Sequence, residues 1–174
     1  MQTNQQEEEE EDDCAICNES LPKLSSNLTR MTCCGQATHN KCHDNIYKSS
    51  MSDEQKGRCI MCRTKHAATG SKEEIDQLRR WVEKGKAWAQ SMLGEKYEQG
   101  KGVDQSYQQA RELWELAAGQ GDAFGQFKLG FMYSNGQGVD QNYERAKEYF
   151  EAAARQGMAE AQYNLGALYA NGQG

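Results

Sequence analysis

Residues 87–103 read AWAQSMLGEKYEQGKGV, and the phrase returns at 123–139 as AFGQFKLGFMYSNGQGV and at 159–174 as AEAQYNLGALYANGQG. Every step is 36 residues. Ala87, Gly94, Tyr97, Gly100, Gly102 and Val103 reappear as Ala123, Gly130, Tyr133, Gly136, Gly138 and Val139, and most reappear again as Ala159, Gly166, Tyr169, Gly172 and Gly174. Between the phrases runs a second pattern. Ala110, Leu113, Trp114, Ala117, Ala118 and Gly121 return as Ala146, Tyr149, Phe150, Ala153, Ala154 and Gly157. A period in the mid-thirties with two helical halves predicts an α-solenoid.

Within a unit, helix A (about 87–99) places Gly94 where a neighbouring helix must come close, because any side chain there would hold the backbones apart. The Gly-x-Gly turn at 100–102 is expected to end helix A through a left-handed residue. Helix B offers small Ala117 and Ala118 beside large Leu113 and Trp114, so knobs and clefts alternate along the stack. Upstream, Ser71 followed by Glu74 forms a capping-box signature, and Ile75, Leu78, Trp81 and Val82 recur at helical spacing. Residues 73–84 align one period before helix B, with Gly85 matching Gly121, and make an N-terminal cap. Gly174 falls just where Val103 and Val139 would next recur. The expectation is a fragment whose last helix A lacks its partner.

On these residues, 85–174 resembles the Sel-one-like repeat family, relatives of the tetratricopeptide repeat. The resemblance implies a protein-binding platform rather than a catalyst. Trp88 and Phe124 occupy equivalent positions where the third unit has Glu160. They read either as an aromatic patch for a partner or as rings partly buried against a neighbouring helix. The array contains no nucleophile with its base, no paired catalytic carboxylates and no phosphate loop.

The N-terminal third has a different grammar. Residues 1–13 are Gln-rich and then acidic from Glu7 to Asp13, a block that repels itself and reads as a disordered tail. Residues 14–63 hold all seven cysteines, as Cys14-x-x-Cys17, Cys33-Cys34, Cys42 and Cys59-x-x-Cys62. His39 precedes Cys42 across another spacer of the same length. Zinc takes four tetrahedral sulfur or nitrogen ligands, and a two-residue spacer lets one tight turn bring two of them to the same ion. Eight ligands close two structural Zn2+ sites with no thiol left over. One pairing is interleaved: Cys14, Cys17, His39 and Cys42 on one ion, with Cys33, Cys34, Cys59 and Cys62 on the other. The alternative is two sequential fingers, and His43 can stand in for one of the adjacent cysteines. Apolar residues are scarce in this segment, so metal would supply its core, at roughly 10–16 kcal/mol apparent per site.

The ligand order over these 50 or so residues resembles the cross-braced zinc modules, RING and PHD. Two residues lean towards RING. Ile16 lies where RING domains present an apolar contact to a ubiquitin-conjugating enzyme, and Arg63 matches the position that bridges enzyme and ubiquitin, a role suited to a planar fork. Ile16 equally fits packing under the metal loop, and Arg63 a solvated base. Ile60 stands where RING loops commonly carry proline, and Gly57 where PHD modules carry tryptophan. Ile60, Ile16 and Arg63 are the candidate contacts to the conjugating enzyme and ubiquitin. Residues 64–72 have linker composition, and His66 lies outside any ligand spacing.

The fold class expected is therefore a small zinc-stabilised RING-like domain joined to an all-α helical-repeat solenoid. Its segments are a tail (1–13), a zinc domain (14–63), a linker (64–72) and the repeats (73–174: a capping helix, two full units and one partial). A net charge of −6 gives no general drive towards nucleic acid, and no apolar run is long enough for a membrane span. The N-terminus lacks the basic start and apolar centre of a signal peptide, so a cytoplasmic or nuclear location is expected, where an odd cysteine count suits metal better than disulfides. The expected function is a ubiquitin ligase with a conjugating enzyme on its zinc module and a substrate or scaffold partner on its repeats. The alternatives are a non-enzymatic zinc-finger adaptor (a PHD-like peptide reader) and a zinc cap that merely folds the N-terminus of the repeats.

Overall fold

The computed structural model describes residues 67–173 together with the backbone of two short strands, β1 (Leu28–Arg30) and β2 (Ala37–His39). The strands pair antiparallel, Leu28 opposite His39, Thr29 opposite Thr38 and Arg30 opposite Ala37. The sequence did not lead us to expect paired strands here; β-branched Thr29 and Thr38, with Gly35 between them, are the signal it offers. The zinc-ligand, Ile16, Ile60 and Arg63 assignments concern side chains outside the described residues, and His39 enters only through its backbone.

Six helices follow among the described residues: α1 (Lys72–Glu83), α2 (Ala87–Gln99), α3 (Tyr107–Gly119), α4 (Ala123–Asn135), α5 (Tyr143–Arg155) and α6 (Ala159–Ala170). Each packs chiefly on its sequence neighbours, as a solenoid requires. Helices α2 and α4 end on Gly100 and Gly136, both at φ 66°, a left-handed conformation that costs glycine nothing. The expected turn is present in both units. Helices α3 and α5 begin on Ser106 and Asn142, whose side chains accept from the Gln109 and Arg145 backbone N–H groups.

The core is built by seating an aromatic on a glycine. Trp114 and Phe150 are 0% and 1% exposed. A methyl group on Gly94 would lie 2.5 Å from the Trp114 indole nitrogen, and one on Gly130 would lie 2.7 Å from the Phe150 ring. The Trp114 indole N–H also donates to the Ser91 carbonyl at 3.1 Å, so its one polar atom is satisfied inside the core. Alanines flank each knob: Ala110 and Ala117, then Ala146 and Ala153, all fully buried. A neutral ladder ties the helix ends together. Gln120 donates to Gln90 at 2.7 Å, and one period later Gln156 donates to Gln126 at 2.8 Å.

In the third unit the equivalent socket is Gly166, where a methyl group would meet nothing within 4 Å. Gly130→Ala is therefore expected to destabilise by roughly 1–3 kcal/mol through overpacking. Gly166→Ala should instead stabilise by about 1 kcal/mol, the ordinary helix gain over glycine. Urea denaturation of the two variants checks the opposite signs.

Candidate protein-interaction surface

The two Gly-x-Gly turns open onto polar notches that recur with the period. Tyr97, Gly102, Val103 and Asp104 line the first, and Tyr133, Gly138, Val139 and Asp140 the second. The notches differ in charge. Arg79 lines the first and Arg111 the second, and the difference is one charge: Gln109 in the first is replaced by Arg145 in the second. The Arg145 guanidinium donates to the Tyr133 hydroxyl at 3.0 Å and sits over that ring, 5.3 Å from its centroid. That hydrogen bond, with the electrostatic pull of Tyr133, raises the pKa of an Arg145 guanidinium that is in any case a cation. Tyr133 stacks on Tyr149 at 5.8 Å, and burial first of all pushes the Tyr149 phenol upwards, keeping it neutral. The Arg111 Nε–H is buried without an acceptor among the described residues. A recurring notch with a variable charged residue presents a different polar surface at each repeat.

Trp88 and Phe124 are both half-buried and pack in different clusters. Trp88 lies 5.8 Å from Trp81, and Phe124 sits beneath the Lys128 ammonium at 5.5 Å. Lys128 is in turn paired with Glu98 at 2.6 Å. The partial-burial reading describes these two rings better than a shared patch does.

A buried ion pair, which the periodicity does not announce, joins α1 to α2. Glu74 accepts from Lys96 Nζ at 2.9 Å and from the Gly70 N–H at 2.6 Å, and the two side chains of the ion pair are 11% and 9% exposed. The Glu74 N–H donates to Ser71 Oγ at 3.2 Å. Residues 67–71, in the segment read as linker, are thereby tied to the first repeat, with Gly70 resting against Lys101 and Gly102. A signal exists in the sequence. Glu74 occupies the register of Ala110 and Ala146, while Lys96 occupies that of Met132 and Leu168. Two departures from the repeat, one of each sign, answer each other across the α1–α2 contact.

Among the described residues no group of His, Cys, Asp or Glu is arranged to hold a metal ion, and no helix is long and apolar enough to cross a membrane. All seven cysteines and all three histidines precede residue 67.

Comparisons with known proteins bear on the repeat array. The Sel1 repeat family model matches residues 89–122, 123–158 and 159–174. The chain is similar to a Sel1 repeat protein from Oxalobacter formigenes, with 34% identity and a TM-score of 0.56 over 59% of this chain and 42% of that one. It is also similar to c5321, a protective antigen present in uropathogenic Escherichia coli strains that displays an SLR fold. There the identity is 39% and the TM-score 0.55, over 56% of this chain and 21% of that one. Cysteine rich protein B of Helicobacter pylori shares 30% identity at a TM-score of 0.51, covering 53% of this chain and 70% of its own. The chain thus spans less than half the length of the first two. Among curated proteins none matches it.

The buried pair gives a direct test. Glu74→Gln leaves the Lys96 charge buried and unpaired and should cost about 3 kcal/mol. The double variant Glu74→Ala with Lys96→Met restores the residue types of the other units and should recover most of that loss. Thermal and urea unfolding of the two proteins measure both effects.

Proposed function

The chain belongs over residues 89–174 to the Sel1-repeat family, and on that premise we propose that its helical array, a platform for protein–protein interaction, serves a RING-like ubiquitin ligase. The observation that carries the platform is the recurring notch with one changing charge, Gln109 against Arg145, on a scaffold that seats a buried aromatic on a glycine in each full unit. The observation behind the ligase is the eight-ligand set Cys14, Cys17, Cys33, Cys34, His39, Cys42, Cys59 and Cys62 with Ile16 and Arg63 in register.

In this reading two zinc ions are closed structural sites with no open coordination position. Residues 14–63 hold a ubiquitin-charged conjugating enzyme through Ile16 and Ile60, while Arg63 restrains the ubiquitin tail. The module forms no covalent intermediate. It accelerates transfer by restricting geometry, and the repeats raise the local concentration of the protein to be modified. A cytoplasmic or nuclear setting fits this chemistry. The second reading, a non-enzymatic zinc-finger adaptor, is favoured by Ile60 in place of the proline common in RING loops.

Native mass spectrometry of the whole chain is expected to show two zinc ions that leave on chelation. The zinc-loaded chain should build ubiquitin chains with at least one member of a broad panel of conjugating enzymes, and Arg63→Ala should slow this about tenfold or more, a loss near 1.4 kcal/mol. Two zinc ions with no transfer by any enzyme would select the adaptor, and no zinc would reject both readings.

A further inference from the structure

The notch between α3 and the start of α5 carries a cation that the fold orients and leaves without a counter-charge. Arg145 lies in the first turn of α5, where the helix N-terminus already favours anions over cations. The first notch has Gln109 in that register, so the repeat itself does not require the charge. The groups that hold the guanidinium are neutral: the Tyr133 hydroxyl at 3.0 Å and the face of the same ring. That ring is buried and stacked on Tyr149, so it is a firm seat. Among the described residues no carboxylate comes within 4 Å of Arg145. Asp140 lines the notch without pairing with it, and Glu148 acts on it only weakly. Arg111, from α3, lines the same notch. Its Nη1 reaches Glu115 at 3.4 Å, and its buried Nε–H has no acceptor among the described residues. An incoming acceptor gains that N–H only if the guanidinium turns, and so long a contact with Glu115 restrains it weakly.

We infer that this notch binds the carboxylate of an aspartate or glutamate side chain on a partner protein, with Arg145 as its charge partner and Arg111 as a second donor that turns towards it. A planar fork matches the two oxygens of a carboxylate. The seat on Tyr133 fixes the long arginine side chain beforehand, which reduces the entropy lost on binding. Charge limits the ligand further. Arg111 already has Glu115, so the surplus is the one charge of Arg145, and a single carboxylate cancels it. A phosphate dianion exceeds that surplus and meets twice the repulsion from Asp140 in the wall. A nucleic-acid backbone meets a chain of net charge −6. The inference rests on reading the repeats as an interaction platform and names what one notch of that platform takes.

The probe is a phage-displayed library of random peptides, joined to the coat protein at their C-termini so that their own carboxylates come from side chains. It is panned on the full chain and on its Arg145→Gln variant, which carries the residue the first notch has in that register and whose fold circular dichroism checks. Peptides retained by the full chain and lost by the variant are expected to share an Asp or Glu at one position. The best of them, synthesised with capped ends, is titrated by calorimetry. Replacing its acid by the amide, or Arg145 by Gln, should each weaken binding at least about tenfold, and both together little more than either. Pairing Arg145→Glu with a lysine in the peptide should restore binding. Arg145-dependent peptides that share no acid overturn the inference. So does displacement of the peptide by low-millimolar inorganic phosphate, which assigns the notch to phosphate. Binding at least about tenfold tighter to the full chain with Glu7 to Asp13 changed to their amides assigns the notch to the chain's own acidic block and overturns it too. Peptides held equally by both chains remove this notch and leave the platform reading standing, whereas no peptide held by either chain removes both.

Discussion

The array depends on the contact between a buried aromatic on helix B and a glycine on helix A. The missing side chain lets two helix backbones approach, and the ring fills the space with dispersion contacts on all sides. Trp114 and Phe150 are the two largest fully buried side chains among the described residues. The helices around them are short, and α2 and α4 lack a pronounced apolar stripe, so the knobs rather than helix propensity fix how the chain pairs. Everything on the surface, the notches included, is held in place by that contact.

Polar groups then refine what packing has fixed. The glutamine ladder joins helix ends without charge. The Gln105 and Gln141 amides donate to the carbonyls of Glu98 and Ser134, both at 2.8 Å, and so pin each loop to its helix. The Glu74–Lys96 pair is a buried meeting of opposite charges, and it sits where the repeats begin. Burying two charges is costly unless they meet each other and further donors, and here the Gly70 N–H supplies one more.

The repeats are legible in the sequence because glycine and aromatic positions return in step, and a physical reason attaches to each. Helix A at 87–99 and the glycine-ended turns follow directly from that periodicity. The ion pair is hidden from a search for what recurs, since Glu74 and Lys96 are informative because they do not recur. The role of Trp88 and Phe124 depends on neighbours that no local pattern specifies, so spacing alone leaves it open. The recognition notches are assembled from a turn, a helix start and a preceding helix, and only the folded stack brings Arg111 and Arg145 to one wall. The zinc reading stands on ligand spacing, which is specific for metal and silent about catalysis.

The glycine socket and its aromatic plug lie within one and the same 36-residue unit, and the plug also packs across the seam, Trp114 with Leu129 and Met132 of the next unit and Phe150 with Leu165 and Leu168. A duplication or deletion of one whole unit therefore carries plug and socket along together, and the seam is resealed by residues that return in the same register. Such a protein can change its reach over evolutionary time by counting units, without redesigning its interior.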